Sequence, residues 1–131
     1  MSIDTSFTKI QCIKLLKVVG WINKENIIVK HVPGTYELPL AAQLVIENTQ
    51  VDGVVAIGSV IQGETKHFDF VCEAVSQGIK DLNILHEVPV IFCVLTDNNM
   101  QQGIERSGGI HGNKGTEAAV AAIKMADLNT K

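Results

Sequence analysis

The segment that most restricts how this chain can fold is an apolar run, residues 53–61, that stops at a polar loop and leads directly into a helical pattern. The loop contains Gly63, Glu64, Thr65 and His67. Apolar side chains then recur with helical spacing at Phe68, Val71, Cys72, Val75, Ile79 and Leu82. Such a sequence is typical of a buried strand that enters a helix through a tight turn.

The start of this helix is suited to binding an anion. Backbone N–H groups in a first helical turn have no partner within the helix, and they lie at the positive end of the helix dipole. His67, next to these groups, can transfer protons near neutral pH. The alternative interpretation is that Thr65 only caps the helix and that His67 is an ordinary surface residue.

Strand-like and helical segments alternate along the chain. Further apolar runs of strand length cover residues 27–32 and 88–95. Helical patterns are predicted at residues 37–48, at 65–82, from Thr96 or Asp97 to Arg106, and at about 115–128. This alternation predicts a parallel sheet with helices on both faces, which is a three-layer α/β/α arrangement. No linker or repeat interrupts residues 1–131, so we expect a single domain.

The composition argues against several classes of protein. A net charge of −3, without a basic run, gives no electrostatic basis for nucleic-acid binding. No apolar stretch is long enough to span a membrane, and the N-terminus lacks the pattern of a secretion signal. Charged residues make up only 19% of the chain, which favours apolar surface covered by other subunits.

The metal-binding residue types show no metal-site spacing. The four histidines are scattered, so no metal is expected. Cys12, Cys72 and Cys93 are odd in number and lie in apolar patterns without CxxC spacing. Free thiols in a reducing compartment are the better explanation, and the cytoplasm is the expected location.

Polar loops follow the predicted strands, and the carboxyl ends of parallel strands are where ligands bind in such folds. In the first of these loops, Tyr36 can stack on a planar heterocycle, and Glu37 can bind ring N–H groups or stabilise the helix dipole. The alternative is that Tyr36 is a hydrophobic lid and Glu37 an ordinary first-turn acid. Arg106 and Lys114 lie in glycine-rich loops and can bind a phosphate together with the amides of residues 63–65. Taken singly, Arg106 is better explained as a cation at a helix C-terminus, and Lys114 is better explained as a solvated cation.

Several motifs, in order, resemble the 6,7-dimethyl-8-ribityllumazine synthase family over roughly residues 27–129. The matching segments are residues 32–39, 58–68, 89–96, 101–108, 112–115 and 117–119. The resemblance implies a flavodoxin-like fold with a parallel four-stranded sheet. It implies the condensation of 5-amino-6-(ribitylamino)uracil with 3,4-dihydroxy-2-butanone 4-phosphate, releasing phosphate and water, without metal or organic cofactor.

The family pattern also implies a role for each matching residue. The pyrimidine and ribityl pocket would be formed by Tyr36, Glu37, Ser59, Val60 and Ile61. The phosphate would be held by Gly63, Glu64, Thr65 and Arg106.

His67 corresponds to the family's proton-transfer histidine. Phe92 and Lys114 correspond to residues that reach the pocket from a neighbouring subunit, so each site would form between subunits. The family assembles as homopentamers, and in some members twelve pentamers form an icosahedral shell.

The N-terminus departs from the family pattern. Phe7 keeps the spacing of the aromatic residue that stacks on the pyrimidine, but Thr8 replaces an asparagine. The first strand would be a stub drawn from residues 2–6, so we expect it to be shortened or missing. A catalytically impaired homologue that binds lumazine or flavin, or forms a shell, is therefore the alternative function. An unrelated, monomeric flavodoxin-like phosphate-binding module is a third.

Overall fold

Two parallel strands, β1 (Val54–Ile61) and β2 (Val90–Asp97), lie at the centre of the fold. The structure, a computed structural model, describes residues 22–110 and 112–129. The strands pair from Val54 opposite Val90 to Ile61 opposite Asp97. Both are rich in β-branched residues, which favour strands, and both were predicted from the sequence to within two residues at each end.

In the part of the chain that the structure describes, four helices and a short hairpin surround this pair. The remaining elements are the 3₁₀ turns Lys24–Asn26 and Thr35–Glu37, the helices α1 (Leu38–Asn48), α2 (His67–His86), α3 (Met100–Arg106) and α4 (Lys114–Asn129), and the strands β3 (Ser107–Gly109) and β4 (Gly112–Asn113). The predicted alternation of helix and strand is confirmed from α1 onwards. The antiparallel β3–β4 hairpin was not predicted, and it forms where the sequence indicated only a glycine break.

The apolar residues form two clusters, one on each face of the strand pair. Side chains alternate between the faces of a strand. Val54 and Ala56 therefore pack with α1 and α2, whereas Val55 and Ile57 pack with Ala119 of α4. The larger cluster consists of Leu38, Ala42, Ala56, Val71, Val75, Ile79, Leu82, Val90 and Val94. Helices on both faces give the three layers expected from the sequence.

Helices α1 and α2 approach each other closely at Gly78. A Cβ atom added at Gly78 would lie 2.9 Å from both Cβ and Cγ of Pro39, well inside normal contact distance. The proline ring is rigid and sits in the first turn of α1, so it cannot move aside without moving the helix.

We expect Gly78→Ala to lower the free energy of unfolding by about 1–2 kcal/mol, because overpacking outweighs the roughly 1 kcal/mol by which alanine favours a helix. Urea denaturation measures this difference. Ser76→Ala, at an exposed position of the same helix, is the control and should change stability by less than about 0.5 kcal/mol. Equal or greater stability of Gly78→Ala would contradict the close packing.

The prediction of a strand at residues 27–32 is wrong. The segment has no regular structure, and among the described residues β1 pairs with β2 alone. Ile27 packs in the α4 cluster and Val32 against the larger cluster, while Ile28 and Val29 are exposed. A strand needs a hydrogen-bonded neighbour as well as apolar side chains. The predicted first strand and Phe7 lie outside the described residues.

Helix α3 begins at a different cap from the one predicted. The predicted caps were Thr96 and Asp97, but both belong to β2. Asn99 Oδ1 instead accepts a hydrogen bond from the Gln102 N–H, and Gln102 Oε1 accepts one from the Asn98 N–H. This nearly reciprocal arrangement resembles a capping box and fixes the start of the short helix that ends at Arg106.

Candidate functional site

One cavity lies where β1 ends and α2 begins, and we call it the His67 cavity. Its volume is about 540 Å³. Five of the predicted site residues line it: Tyr36, Glu37, Ser59, Val60 and His67. Tyr36 is 61% exposed, so its ring is available to a flat ligand at the cavity mouth.

A hydroxyl group attaches the Tyr36 turn to β1. Thr35 Oγ1 donates a hydrogen bond to the Ser59 carbonyl at 3.0 Å and accepts one from the Ser59 N–H at 3.3 Å. The turn comes so close that a Cβ atom on Gly58 would lie 2.9 Å from Thr35 Oγ1. These contacts set the position of Tyr36 and Glu37 relative to the strand end.

The predicted anion loop is exposed beside this cavity. Gly63, Glu64 and Thr65 are all exposed and do not line the cavity in a single chain, and neither does Ile61. Thr65 Oγ1 accepts a hydrogen bond from the His67 N–H at 3.3 Å, although the N-cap position of the helix is Lys66. The hydroxyl proton remains able to donate to a ligand.

A second cavity, of about 530 Å³, is lined by residues of β2, the end of α3 and the start of α4, and we call it the Arg106 cavity. Three predicted site residues line it: Phe92, Arg106 and Lys114. Lys114 Nζ lies 3.0 Å from Glu117 Oε2, and Arg106 Nη1 lies 2.7 Å from Asp97 Oδ1. An aromatic ring and two cations beside each other suit a phosphorylated ligand.

The eight predicted residues that line cavities therefore divide into two groups in a single chain. Arg106 was expected to bind phosphate together with the loop of residues 63–65. Arg106 does not line the His67 cavity. It lines the Arg106 cavity together with Phe92 and Lys114, the two residues that were expected to reach the site of a neighbouring subunit.

Asp97 was not among the predicted site residues. The sequence indicated it only as part of the polar segment 96–98 at a strand end and as a possible helix cap. Its side chain is 0% exposed. Burial raises the pKa of the Asp97 carboxyl, and the attraction and hydrogen bond of Arg106 oppose that rise. An acid placed at the end of an apolar strand run was the signal available in the sequence.

Asp97→Asn should make stability less dependent on pH. A carboxyl group whose pKa is raised by folding stabilises the fold below its ordinary pKa of about 3.9, and this contribution is lost as the pH rises through the raised value. A tenfold change in the acid dissociation constant on folding corresponds to about 1.4 kcal/mol. Unfolding free energies measured from pH 4 upwards should therefore fall for the wild type relative to the variant. Parallel curves would contradict the raised pKa.

Two features are absent among the described residues. No group of three or more histidine, cysteine, aspartate or glutamate side chains in this part of the chain could hold a metal ion. Within the same residues, no helix combines the length and the apolar character needed to cross a membrane.

The fold and the two cavities define an α/β protein with its candidate site at the carboxyl ends of parallel strands, of the flavodoxin-like class. The sequence profile of 6,7-dimethyl-8-ribityllumazine synthase matches residues 7–130, and the chain belongs to this family. The resemblance noted from the sequence and the fold class are thereby confirmed, and the interpretation as an unrelated phosphate-binding module is wrong.

Relatives with the name 6,7-dimethyl-8-ribityllumazine synthase are closely similar to this chain. The protein of Flavobacterium johnsoniae is 68% identical over 102 residues, which are 78% of this chain and 54% of that protein. That of Christiangramia forsetii is 61% identical over 108 residues, 82% of this chain and 64% of the relative. That of Flavobacterium psychrophilum is 60% identical over 116 residues, which are 88% of this chain and 61% of the relative. The chain thus spans between about half and two thirds of the length of these relatives.

Proposed function

We propose that this chain catalyses the condensation of 5-amino-6-(ribitylamino)uracil with 3,4-dihydroxy-2-butanone 4-phosphate to give 6,7-dimethyl-8-ribityllumazine. The observation that carries the proposal is the division of the predicted site residues into two complementary cavities. One offers an aromatic ring, a carboxylate and an imidazole, and the other offers two cations beside a phenylalanine. The names of the close relatives support the same reaction.

The two cavities act as halves of one site, joined between neighbouring copies of the chain. The His67 cavity binds the pyrimidine, with Tyr36 stacked on the ring, Glu37 accepting from ring N–H groups, and Ser59 and Val60 along the floor. Ile61 does not line this cavity in a single chain, and it follows Val60 at the end of β1. The Arg106 cavity of the next copy brings Phe92, Arg106 and Lys114 against it. The phosphate then lies between that guanidinium and the Gly63, Glu64 and Thr65 loop, whose exposure leaves its amides accessible.

Exposed apolar side chains support such an assembly. Phe70 is 66% exposed at the rim of the His67 cavity, and Phe92 is 41% exposed in the Arg106 cavity. Leu40 and Leu44 are also exposed on α1. Apolar area of this kind is covered when subunits associate. We propose that the chain forms a homopentamer, or an icosahedral shell of pentamers. We further propose that each chain is a single domain and that the protein is located in the cytoplasm.

The proposed chemistry needs proton transfers and stabilisation of a leaving anion. The pyrimidine amine attacks the ketone carbonyl and loses water to form an imine, phosphate is eliminated, and the second ring closes with loss of another water. His67 accepts and returns protons in these steps. Arg106 stabilises the charge on the departing phosphate. No step transfers electrons to an outside acceptor, so the proposed steps require no redox cofactor.

The test is to incubate the purified chain with both substrates and follow two products together. Mass spectrometry should detect the lumazine, and released phosphate should equal it one to one. Omission of either substrate is the control. Binding of the pyrimidine without turnover would overturn the proposal and support the alternative, a catalytically impaired homologue that binds lumazine or flavin or forms a shell.

A further inference from the structure

A buried carboxylate lies behind the guanidinium of Arg106. Asp97 is the last residue of β2, and its Oδ1 accepts the hydrogen bond from Arg106 Nη1. Within residues 22–110 and 112–129, no group bonds the other oxygen, Oδ2, although it too is buried. A buried charge with one partner and an unsatisfied oxygen stabilises a fold less well than an apolar side chain of similar size. Stability alone is therefore a poor explanation of Asp97.

The geometry around Asp97 fits a role in holding Arg106 still. The Arg106 side chain is 42% exposed and lines a cavity with Phe92 and Lys114. A guanidinium carries five N–H donors in a rigid fork, so a bond from Nη1 to Asp97 leaves donors for a second anion. The cap formed by Asn99 and Gln102 fixes the start of the same short helix.

We propose that Asp97 is a positioning residue for phosphate binding: its buried carboxylate orients the Arg106 guanidinium so that the remaining N–H donors face the phosphate group of a substrate. The inference rests on the proposed function. Without the carboxylate, the long arginine side chain samples several rotamers, and ordering it on binding weakens affinity.

The experiment measures the Kd of inorganic phosphate by calorimetry on the full chain and on three variants. We expect Asp97→Asn to weaken binding roughly tenfold and Arg106→Ala to weaken it more. The double variant should bind no more weakly than Arg106→Ala, because Asp97 acts only through that side chain. The affinity of Asp97→Asn for the pyrimidine substrate should stay within about twofold of the wild type, which a general structural defect would not preserve.

Asp81→Asn is the matched control. It also removes an acid that forms an ion pair, but its partner is Lys80, and neither residue lines either cavity. We expect it to bind phosphate as tightly as the wild type. Unchanged phosphate affinity in Asp97→Asn would overturn the proposal. So would a finding that Asp97→Asn weakens phosphate binding as much in the Arg106→Ala variant as in the wild type.

A second measurement covers the case in which Asp97→Asn does not fold. In the wild type, the guanidinium ¹⁵N–¹H resonances of Arg106, assigned with Arg106→Lys, should show slowed exchange and should shift when phosphate is added. Resonances that exchange freely would overturn the proposal. Phosphate binding in the expected pattern without lumazine formation would refute the proposed function alone. Lumazine formation with normal phosphate binding in Asp97→Asn would refute the positioning role alone.

Discussion

Two inactive variants should regain activity when they are mixed. The first variant carries both Glu37→Ala and His67→Ala and is impaired only in the His67 cavity. The second variant carries both Arg106→Ala and Lys114→Ala and is impaired only in the Arg106 cavity. If sites form between neighbouring copies, random co-assembly pairs two intact halves in about a quarter of the sites. We therefore expect about a quarter of wild-type kcat from the mixture, against a loss of roughly 100-fold or more for each variant alone.

The measurement is lumazine formation after the two variants are unfolded, mixed and refolded together. The matched control mixes Arg106→Ala with Phe92→Ala, which impair the same half and should restore nothing. Absence of recovery in the first mixture, when the wild type treated in the same way refolds to full activity, would show that the two cavities do not serve a common site.

Arg106→Ala should reduce kcat/KM far more than His67→Ala. The guanidinium supplies charge to a departing phosphate, and loss of such a group costs roughly 100- to 1,000-fold. Solvent can replace part of the proton transfer by His67, and holding two reactants together supplies much of the acceleration. We expect His67→Ala to retain about a tenth of the activity.

Steady-state kinetics, with each substrate varied in turn, measures kcat/KM for the Arg106→Ala and His67→Ala variants. Arg106→Lys is the control, because it keeps the charge without the planar fork and should recover part of the loss. The reverse order, with His67→Ala the more damaging substitution, would mean that proton transfer dominates and that the phosphate interaction is secondary.

The sequence predicted β1, β2 and the helix between them because their signals are local. An apolar run, a polar turn and a helical period lie next to each other in the chain, as at Val54–Ile61 and His67–His86. The segment 27–32 shows where that reasoning fails. Its composition resembles a strand, but a strand also depends on a pairing partner elsewhere in the chain, which composition does not reveal.

Candidate site residues could be named from the sequence, but which of them share a cavity could not. Motif spacing predicts that Arg106 and His67 follow strands, and both do so. Which residues share a cavity depends on the path of α3 and on the hydrogen bond from Arg106 to Asp97, both of which are tertiary features. The role of Asp97 was hidden for the same reason, since an acid after an apolar run is equally typical of a helix cap.

Asp97 connects the surroundings of both cavities through different atoms. Its carbonyl oxygen accepts a hydrogen bond from the Gln62 N–H at 2.8 Å, at the entrance to the loop beside His67, while its carboxylate holds Arg106. In the assembly proposed above, the two cavities of one chain serve two different sites. A single residue would then support two neighbouring sites, one through its backbone and the other through its side chain.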